Sequence, residues 1–224
     1  MLGFRIRKRR RAVGEDLVAQ FRALPVANIS DSMARMSAAG SRLRPMHRSG
    51  VMAGPALTVR TRPGDNLMIH AALDLAAPGD IVVVDGGGDL TNALIGELMV
   101  AYARTRGIGG FVLNGAIRDV AWIAERDFPV YAAGVTHRGP YKDGPGEINV
   151  PVAIDGMVIE PGDLVIGDAD GLVCVPFDEA EAVYRAAQEK HRAEEEMMRA
   201  IEERRYDRAW VGTALTRLGC EVEA

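Results

Sequence analysis

The sequence predicts an α/β fold in which parallel strands are joined by crossover helices. Three observations carry that expectation. Apolar runs alternate with helix-spaced segments from about residue 51 to residue 127, glycine-rich turns separate them, and Pro-Gly-Asp triplets beginning at Pro63, Pro78 and Pro161 each lie beside an apolar run. The 224 residues suffice for one sizeable core, and the 48% apolar and 26% charged content is that of an ordinary globular chain.

The elements follow in order. In residues 15–24 the apolar positions Leu17, Val18, Phe21 and Leu24 have helical spacing, and a second short helix is expected with Asn28 or Ser30 as its N-cap. VMAGPALTVRT at 51–61 reads as a strand and NLMIHAALDLA at 66–76 as a helix. IVVVDGGG at 81–88 reads as a buried strand running into glycines. Residues 91–106 read as a helix closed by Gly107 at C′. GFVLNG at 110–115 is the next strand, and the following helix starts at RDVAWIAERD. From residue 129 the texture is β: PVYAAGV, a Gly/Pro-rich loop, a hairpin about Asp155-Gly156, and a strand–turn–strand about Asp168 to Gly171. A charged helix over about 178–207 closes the chain, with Met197, Met198 and Ile201 as a thin apolar stripe suited to a surface or a subunit contact.

The expected organisation is a basic N-terminal arm (1–14), an α/β domain (15–177) and a C-terminal helical extension (178–224). The arm carries six basic residues between Arg5 and Arg11; it reads first as solvated and frayed, and second as binding phosphate or an acidic surface. A net charge of −4 argues against nucleic acid as the main partner. Cys174 and Cys220 are too few for a disulfide framework. No apolar run approaches the roughly 18–20 residues of a membrane span, and the start lacks the apolar stretch of a secretory signal, so a cytoplasmic location is expected.

The chemistry concentrates between Asp85 and Asp119. Gly86-Gly87-Gly88 follows a buried strand, where free backbone N–H groups can meet an anion, although the run lacks the spacing of a dinucleotide or Walker loop. Arg118-Asp119 falls where a strand passes into a helix, and ligands collect at the carboxyl ends of strands in open α/β sheets. Arg can grip a carboxylate with two hydrogen bonds, and Asp can hold a hard cation such as Mg2+. By themselves the pair reads as a helix cap and a surface ion pair; the glycine loop and Glu97 turn them into half of a two-loop chelate site. Of the three lysines, Lys8, Lys142 and Lys190, only loop residue Lys142 is a candidate for a Schiff base, which favours a metal route. His70 falls inside a helix and reads as structural, Cys174 as a small core residue, and His137 and Glu147 as outside candidates for facing a substrate.

From about Asn28 to Pro176 the chain resembles the RraA-like family, which includes ribonuclease regulators and 4-hydroxy-4-methyl-2-oxoglutarate aldolases. The resemblance rests on NISDSM, PGDNLMIHAALDLAAPGDIVVVDGGG, GELMVAYARTRG, NGAIRD and GEINVPVAIDGMVIEPGDLVIGDADGLVCVP, in that order. It implies a swivelling β/β/α domain assembled as a homotrimer or hexamer with sites between subunits. It also implies that Gly96, Glu97, Leu98 and Met99 line the substrate with backbone N–H groups, that Arg118 holds a 2-oxo acid, and that Asp119 binds a divalent cation, Mg2+ or alternatively Mn2+. The implied activity is metal-dependent cleavage of a 4-hydroxy-2-oxo acid to pyruvate, with oxaloacetate decarboxylation beside it and with a ribonuclease-binding regulator as the alternative. The aldolase motif has Asp, twenty residues, then Arg-Asp; here Glu97 stands in the first position, and Trp122 stands where some members carry an acid. A methyltransferase reading is set aside because the glycine run lacks the acidic partner expected for an adenosyl cofactor.

Overall fold

The structure is a computed structural model that describes residues 2–221. In chain order the first half holds β1 (Arg5–Ile6), α1 (Glu15–Phe21), α2 (Val26–Ser32), β2 (Arg44–Pro45), β3 (Met52–Thr61), α3 (Leu67–Leu75), β4 (Ile81–Asp85), β5 (Ala93–Ile95) and α4 (Glu97–Thr105). The second half holds β6 (Gly110–Ile117), α5 (Val120–Ala124), β7 (Val130–Val135), β8 (Gly146–Ile148), β9 (Val152–Ile154), β10 (Met157–Ile159), β11 (Leu164–Gly167), β12 (Leu172–Val175), α6 (Ala180–Glu202) and α7 (Ala209–Arg217).

The central strands run in the order β1-β8-β3-β4-β6-β7-β2, with β3, β4, β6 and β7 parallel, as the alternation predicts. Successive residues of a strand face opposite sides of its sheet. Val82 and Val84 of β4 therefore join α3 and α4 in one buried cluster, while Ile81 and Val83 join β9 to β12 in another. Both faces are covered, which is why β6 is apolar at nearly every position and buried throughout. The long strand β3 is shared: Met52–Pro55 pair with β11 and Ala56–Arg60 with β4, joining the two β layers through one continuous backbone. A third cluster seats α1, α2 and the start of α6 on β11 and β12.

Each Pro-Gly-Asp triplet is a tight turn closed by an N–H···O bond from Asp to the residue before Pro: Asp65 to Arg62 (3.0 Å), Asp80 to Ala77 (3.1 Å) and Asp163 to Glu160 (3.1 Å). Gly64, Gly79 and Gly162 sit at φ +74°, +84° and +95°, the third-position requirement of a type II turn. The predicted hairpin at Asp155-Gly156 is present, with both residues at positive φ between β9 and β10.

Four expectations need correction. Residues 91–106 are not one helix: Ala93–Ile95 form β5, which pairs in parallel with the end of β6, and α4 starts only at Glu97. Burial beside β6 overrides the helical spacing of that segment. Helix α2 starts at Val26 rather than after Asn28 or Ser30, because its first N–H is taken by Asp168 Oδ2 (3.0 Å), far away in sequence. The terminal helix ends at Glu202, where Arg204 adopts a left-handed backbone, and a separate α7 follows. The arm is not frayed: β1 pairs with β8, and Arg5, Arg9 and Arg11 are held by Glu147 (2.6 Å), Asp80 (2.6 Å) and the Glu160–Asp178 pair (3.0 and 2.6 Å). The apolar stripe Met197, Met198 and Ile201 is exposed, as are Trp210 and Leu215 of α7 and Leu218 at its C-cap. No helix among the described residues is long and apolar enough to cross a membrane.

Candidate active site

Buried strand β6 delivers Arg118 and Asp119 at its carboxyl end, and β5, lying beside it, delivers Gly96 and Glu97. Two hydrogen bonds tie these junctions together: Arg118 N–H to Ile95 O (3.1 Å) and Glu97 N–H to Asp119 Oδ2 (3.0 Å). Asp119 makes the turn into α5 at φ +59°, a left-handed conformation that Asp tolerates better than most residues. Gly96 is required by close approach rather than by φ. A Cβ there would collide with Asp119 Oδ2 and press on Arg118 Cγ and Nε at 3.0 Å.

Beside this junction lies a cleft of about 110 Å3, lined by Asn66, His70, Gly96, Leu98, Met99, Arg118, Pro140 and Lys142 among others. Arg118 is partly exposed; its Nε lies 3.6 Å from Asp119 Oδ2, and among the described residues its terminal nitrogens have no carboxylate partner. Asn66 is buried, with Nδ2 donating to Leu94 O (2.9 Å), and this bond turns Oδ1 away as a buried acceptor that no described residue satisfies. A buried polar atom without a partner is uncommon and costly unless something fills the place. Burial lowers the pKa of His70, the charge of Lys142 lowers it further, and Asp74 opposes both. A neutral imidazole is therefore favoured beside two cations.

The loop carrying Lys142 is held by Asp65. Its Oδ2 accepts the N–H groups of Asp143 (2.7 Å) and Gly144 (2.9 Å), while Oδ1 accepts that of Leu67 at the start of α3 (2.9 Å). One carboxylate thus fixes the start of α3, with Asn66 and His70, relative to the loop with Lys142.

Of the residues singled out from sequence, Gly96, Leu98, Met99 and Arg118 line the cleft. Glu97 and Asp119 adjoin it at the helix starts, outside the lining residues. The expectation of four substrate-facing N–H groups narrows. Glu97 N–H is engaged by Asp119 and Met99 N–H by Gly96 O (3.2 Å), whereas Leu98 N–H has no partner among the described residues. The triple glycine does not act as an anion cradle. Gly86 and Gly88 donate to Asn114 O (3.2 and 3.0 Å) and Gly87 to Asp85 Oδ1 (3.0 Å), so all three donors are engaged within the fold. Glu147 is buried under Arg5 and Arg60, away from the cleft. Cys174 is a core residue whose thiol burial pushes well above its ordinary pKa. Asn66 enters the cleft unforeseen, His70 does so against its reading as a structural residue, and Lys142, singled out only as a Schiff-base candidate, lines the cleft as well. Asn66 and His70 stand four apart at the head of a helix, on one face, and that spacing was the available signal.

The donor set bears on a cation. Asp119 offers a partly exposed carboxylate whose Oδ1 has no partner among the described residues. No group of three or more His, Cys, Asp or Glu side chains that could hold a metal occurs among the described residues. A single carboxylate fits Mg2+, which is commonly bound by one or two carboxylates together with substrate oxygens and retained waters.

Comparison with known proteins gives the family of the chain. The family model RraA-like (Aldolase/RraA) matches residues 26–174. A protein of Halalkalibacterium halodurans, provisionally named 4-hydroxy-4-methyl-2-oxoglutarate aldolase, is 40% identical over 186 residues, covering 83% of this chain and 89% of its own. Among solved structures, Streptomyces coelicolor RraAS2, described as an unusual member of the RNase ES inhibitor RraA family, superposes with a TM-score of 0.75 at 27% identity over 83% of this chain and 97% of its own. The RNA-processing inhibitor RraA of Thermus thermophilis does so with a TM-score of 0.63 at 30% identity, over 68% of this chain and 92% of its own. The mixed α/β fold is that of these solved relatives, and the chain belongs to the RraA-like family.

Proposed function

We propose that the chain is a divalent-metal-dependent aldolase that cleaves a 4-hydroxy-2-oxo acid of the 4-hydroxy-4-methyl-2-oxoglutarate kind to pyruvate, with oxaloacetate decarboxylation as a second activity. The observation that carries the reading is the meeting of Arg118 and Lys142 in one cleft, beside Asp119 and the unpartnered acceptor of Asn66. Two cations suit the two carboxylates of such a substrate, and a buried acceptor suits its hydroxyl group. The name of the 40%-identical relative supports the same class.

In this reading Arg118 holds the carboxylate of the pyruvyl half through paired hydrogen bonds, and Leu98 N–H donates to the same group. Lys142 receives the distal carboxylate. Asn66 Oδ1 accepts the hydrogen bond of the 4-hydroxyl, orienting the bond that breaks along the cleft. Asp119 would hold Mg2+, or Mn2+ in its place, and the ion when bound supplies electrostatic stabilisation of the enolate charge that both cleavage and decarboxylation develop. Glu97, next to Asp119, positions a water that moves the proton. The assembly proposed is a homotrimer or hexamer with sites between subunits, in a cytoplasmic protein. Leu98 and Tyr102 of α4, with Leu90 and Val135, leave exposed apolar side chains of the kind that subunit contacts cover.

The test follows pyruvate from 4-hydroxy-4-methyl-2-oxoglutarate and from oxaloacetate, with Mg2+ or with EDTA. Metal-dependent release that disappears in Asp119→Ala is the expected result. Release that survives EDTA, with borohydride trapping of substrate on Lys142, would replace the metal route by a Schiff base. Absence of turnover with both substrates would move weight to a ribonuclease-binding regulator, a reading supported by the RNase ES inhibitor family of RraAS2 and by the Thermus thermophilis RNA-processing inhibitor.

A further inference from the structure

The docked arm builds a second basic site that shares no residue with the cleft. The arm is fixed along its length. Arg7 N–H donates to Ile148 O (3.0 Å), Asn149 Nδ2 to Arg7 O (2.8 Å) and Val13 N–H to Gly162 O (3.1 Å). Arg5, Arg9 and Arg11 reach carboxylates of the body, as described above. The remaining cations, Arg7, Lys8 and Arg10, are exposed and have no carboxylate partner among the described residues. They stand over a groove of about 580 Å3 whose other wall includes Asn149, Glu160 and Pro161. Glu160 is paired with Arg11 at 3.0 Å, a cation that Asp178 shares, so Arg7, Lys8 and Arg10 outnumber the acidic charge left in the groove. Asn149 Oδ1 is a buried acceptor that no described residue satisfies.

We propose that this groove binds a small polyphosphate anion, between pyrophosphate and a nucleoside triphosphate in size. Three neighbouring unpaired cations match a short chain of phosphates, and because their backbone is already fixed, binding has only their side chains left to order. The volume falls within the roughly 300–1,000 Å3 of small-molecule sites. Asn149 Oδ1 can receive a hydroxyl or amine of a nucleoside attached to that chain.

Calorimetric titration of the full-length protein with ATP, ADP, pyrophosphate and adenosine tests the site. Saturable binding of ATP and pyrophosphate that weakens with salt is expected, and adenosine should fail to bind. ADP binding tighter than that of pyrophosphate, at equal phosphate number, would show that the nucleoside is also held, and equal binding would leave the phosphates as the recognised group; both support the site. The combined variant Arg7→Gln, Lys8→Gln, Arg10→Gln should weaken binding by at least about tenfold, while Arg118→Ala should bind as the parent does. The altered side chains are exposed and unpaired, so the melting temperature should hold; the single variant Lys8→Gln, with a smaller loss, covers the case in which it does not. Undiminished binding by the combined variant, loss of binding in Arg118→Ala, or tighter binding of a short RNA than of ATP at equal salt would each overturn the proposal.

Discussion

Asp65 and Asp119 are the same residue type at the entrances of two helices that adjoin one cleft, yet their surroundings differ sharply. Asp65 is fully buried, and its two oxygens accept three backbone N–H groups together with the Arg62 guanidinium. Asp119 is 35% exposed in its side chain and accepts one backbone N–H, leaving Oδ1 without a partner among the described residues. A carboxylate whose lone pairs are filled by the fold is a structural device. One with an oxygen left over can take a ligand. The same distinction separates Asn66, with a buried acceptor to spare, from the glycine run 86–88, whose donors are all engaged.

The largest effect that follows from the comparison is on activity. Asp119→Asn keeps an oxygen to accept Glu97 N–H but removes the charge that a cation needs. Pyruvate release should fall by at least about 10²-fold, while the melting temperature moves by less than about 2 °C. Parallel assays and thermal melts read both. A large drop in melting temperature would show that Asp119 belongs with Asp65 as a structural carboxylate.

The second effect is the reverse. Asp65→Asn replaces an acceptor with a donor facing buried N–H groups, at a cost of about 2–4 kcal/mol, or a melting temperature lower by about 5–10 °C. Because Asp65 holds the loop bearing Lys142, KM should rise more than kcat falls. Loss of kcat with an unchanged melting temperature would erase the division between the two carboxylates.

How much of this was legible in the sequence follows the same physical line. The alternation of β4, β6 and their helices was readable because local periodicity and buried faces agree. Arg118 and Asp119 were readable because they stand at the carboxyl end of a strand; Glu97 was readable only as a carboxylate inside a helix that in fact starts there, and Gly96 only through the family resemblance. Strand β5 was not, since its extended backbone comes from pairing with β6 and its own spacing suits a helix. The start of α2 and the seating of the arm were hidden for one reason: their partners, Asp168, Glu147, Asp80, Glu160 and Asp178, lie more than 70 residues away. Lys142 could be recognised as a lone loop lysine, but only the carboxylate of Asp65 carries it to the cleft. The Asp of a Pro-Gly-Asp turn looks the same in sequence whether it closes its own turn, as Asp80 and Asp163 do through Ala77 and Glu160 N–H groups (2.8 and 2.9 Å), or reaches a distant loop.

His70 links the two regions, since it stands on the helix whose start Asp65 fixes and lines the cleft that Arg118 enters. Its folded-state pKa lies below the ordinary 6.5, through burial first and the charge of Lys142 second, with Asp74 opposing. The unfolded chain therefore takes up a proton at higher pH than the folded one does. Stability should fall as pH drops below about 6.5 and level off once the folded imidazole is also protonated. Partial exposure weakens the coupling, so the contribution to the melting temperature is on the order of 1 °C. His70→Gln should flatten that part of the profile relative to the parent, measured by thermal melts between pH 7.5 and 5 at constant ionic strength, roughly one unit either side of the ordinary value. Lys142→Gln should raise the folded pKa and shrink the same slope while leaving the imidazole in place. A steeper fall in the His70→Gln variant would mean that the imidazole is stabilised as a cation in the cleft. The acceptor of Asn66 would then be facing a charged neighbour, rather than the neutral one that leaves Arg118 and Lys142 as the two positive groups available to a dicarboxylate.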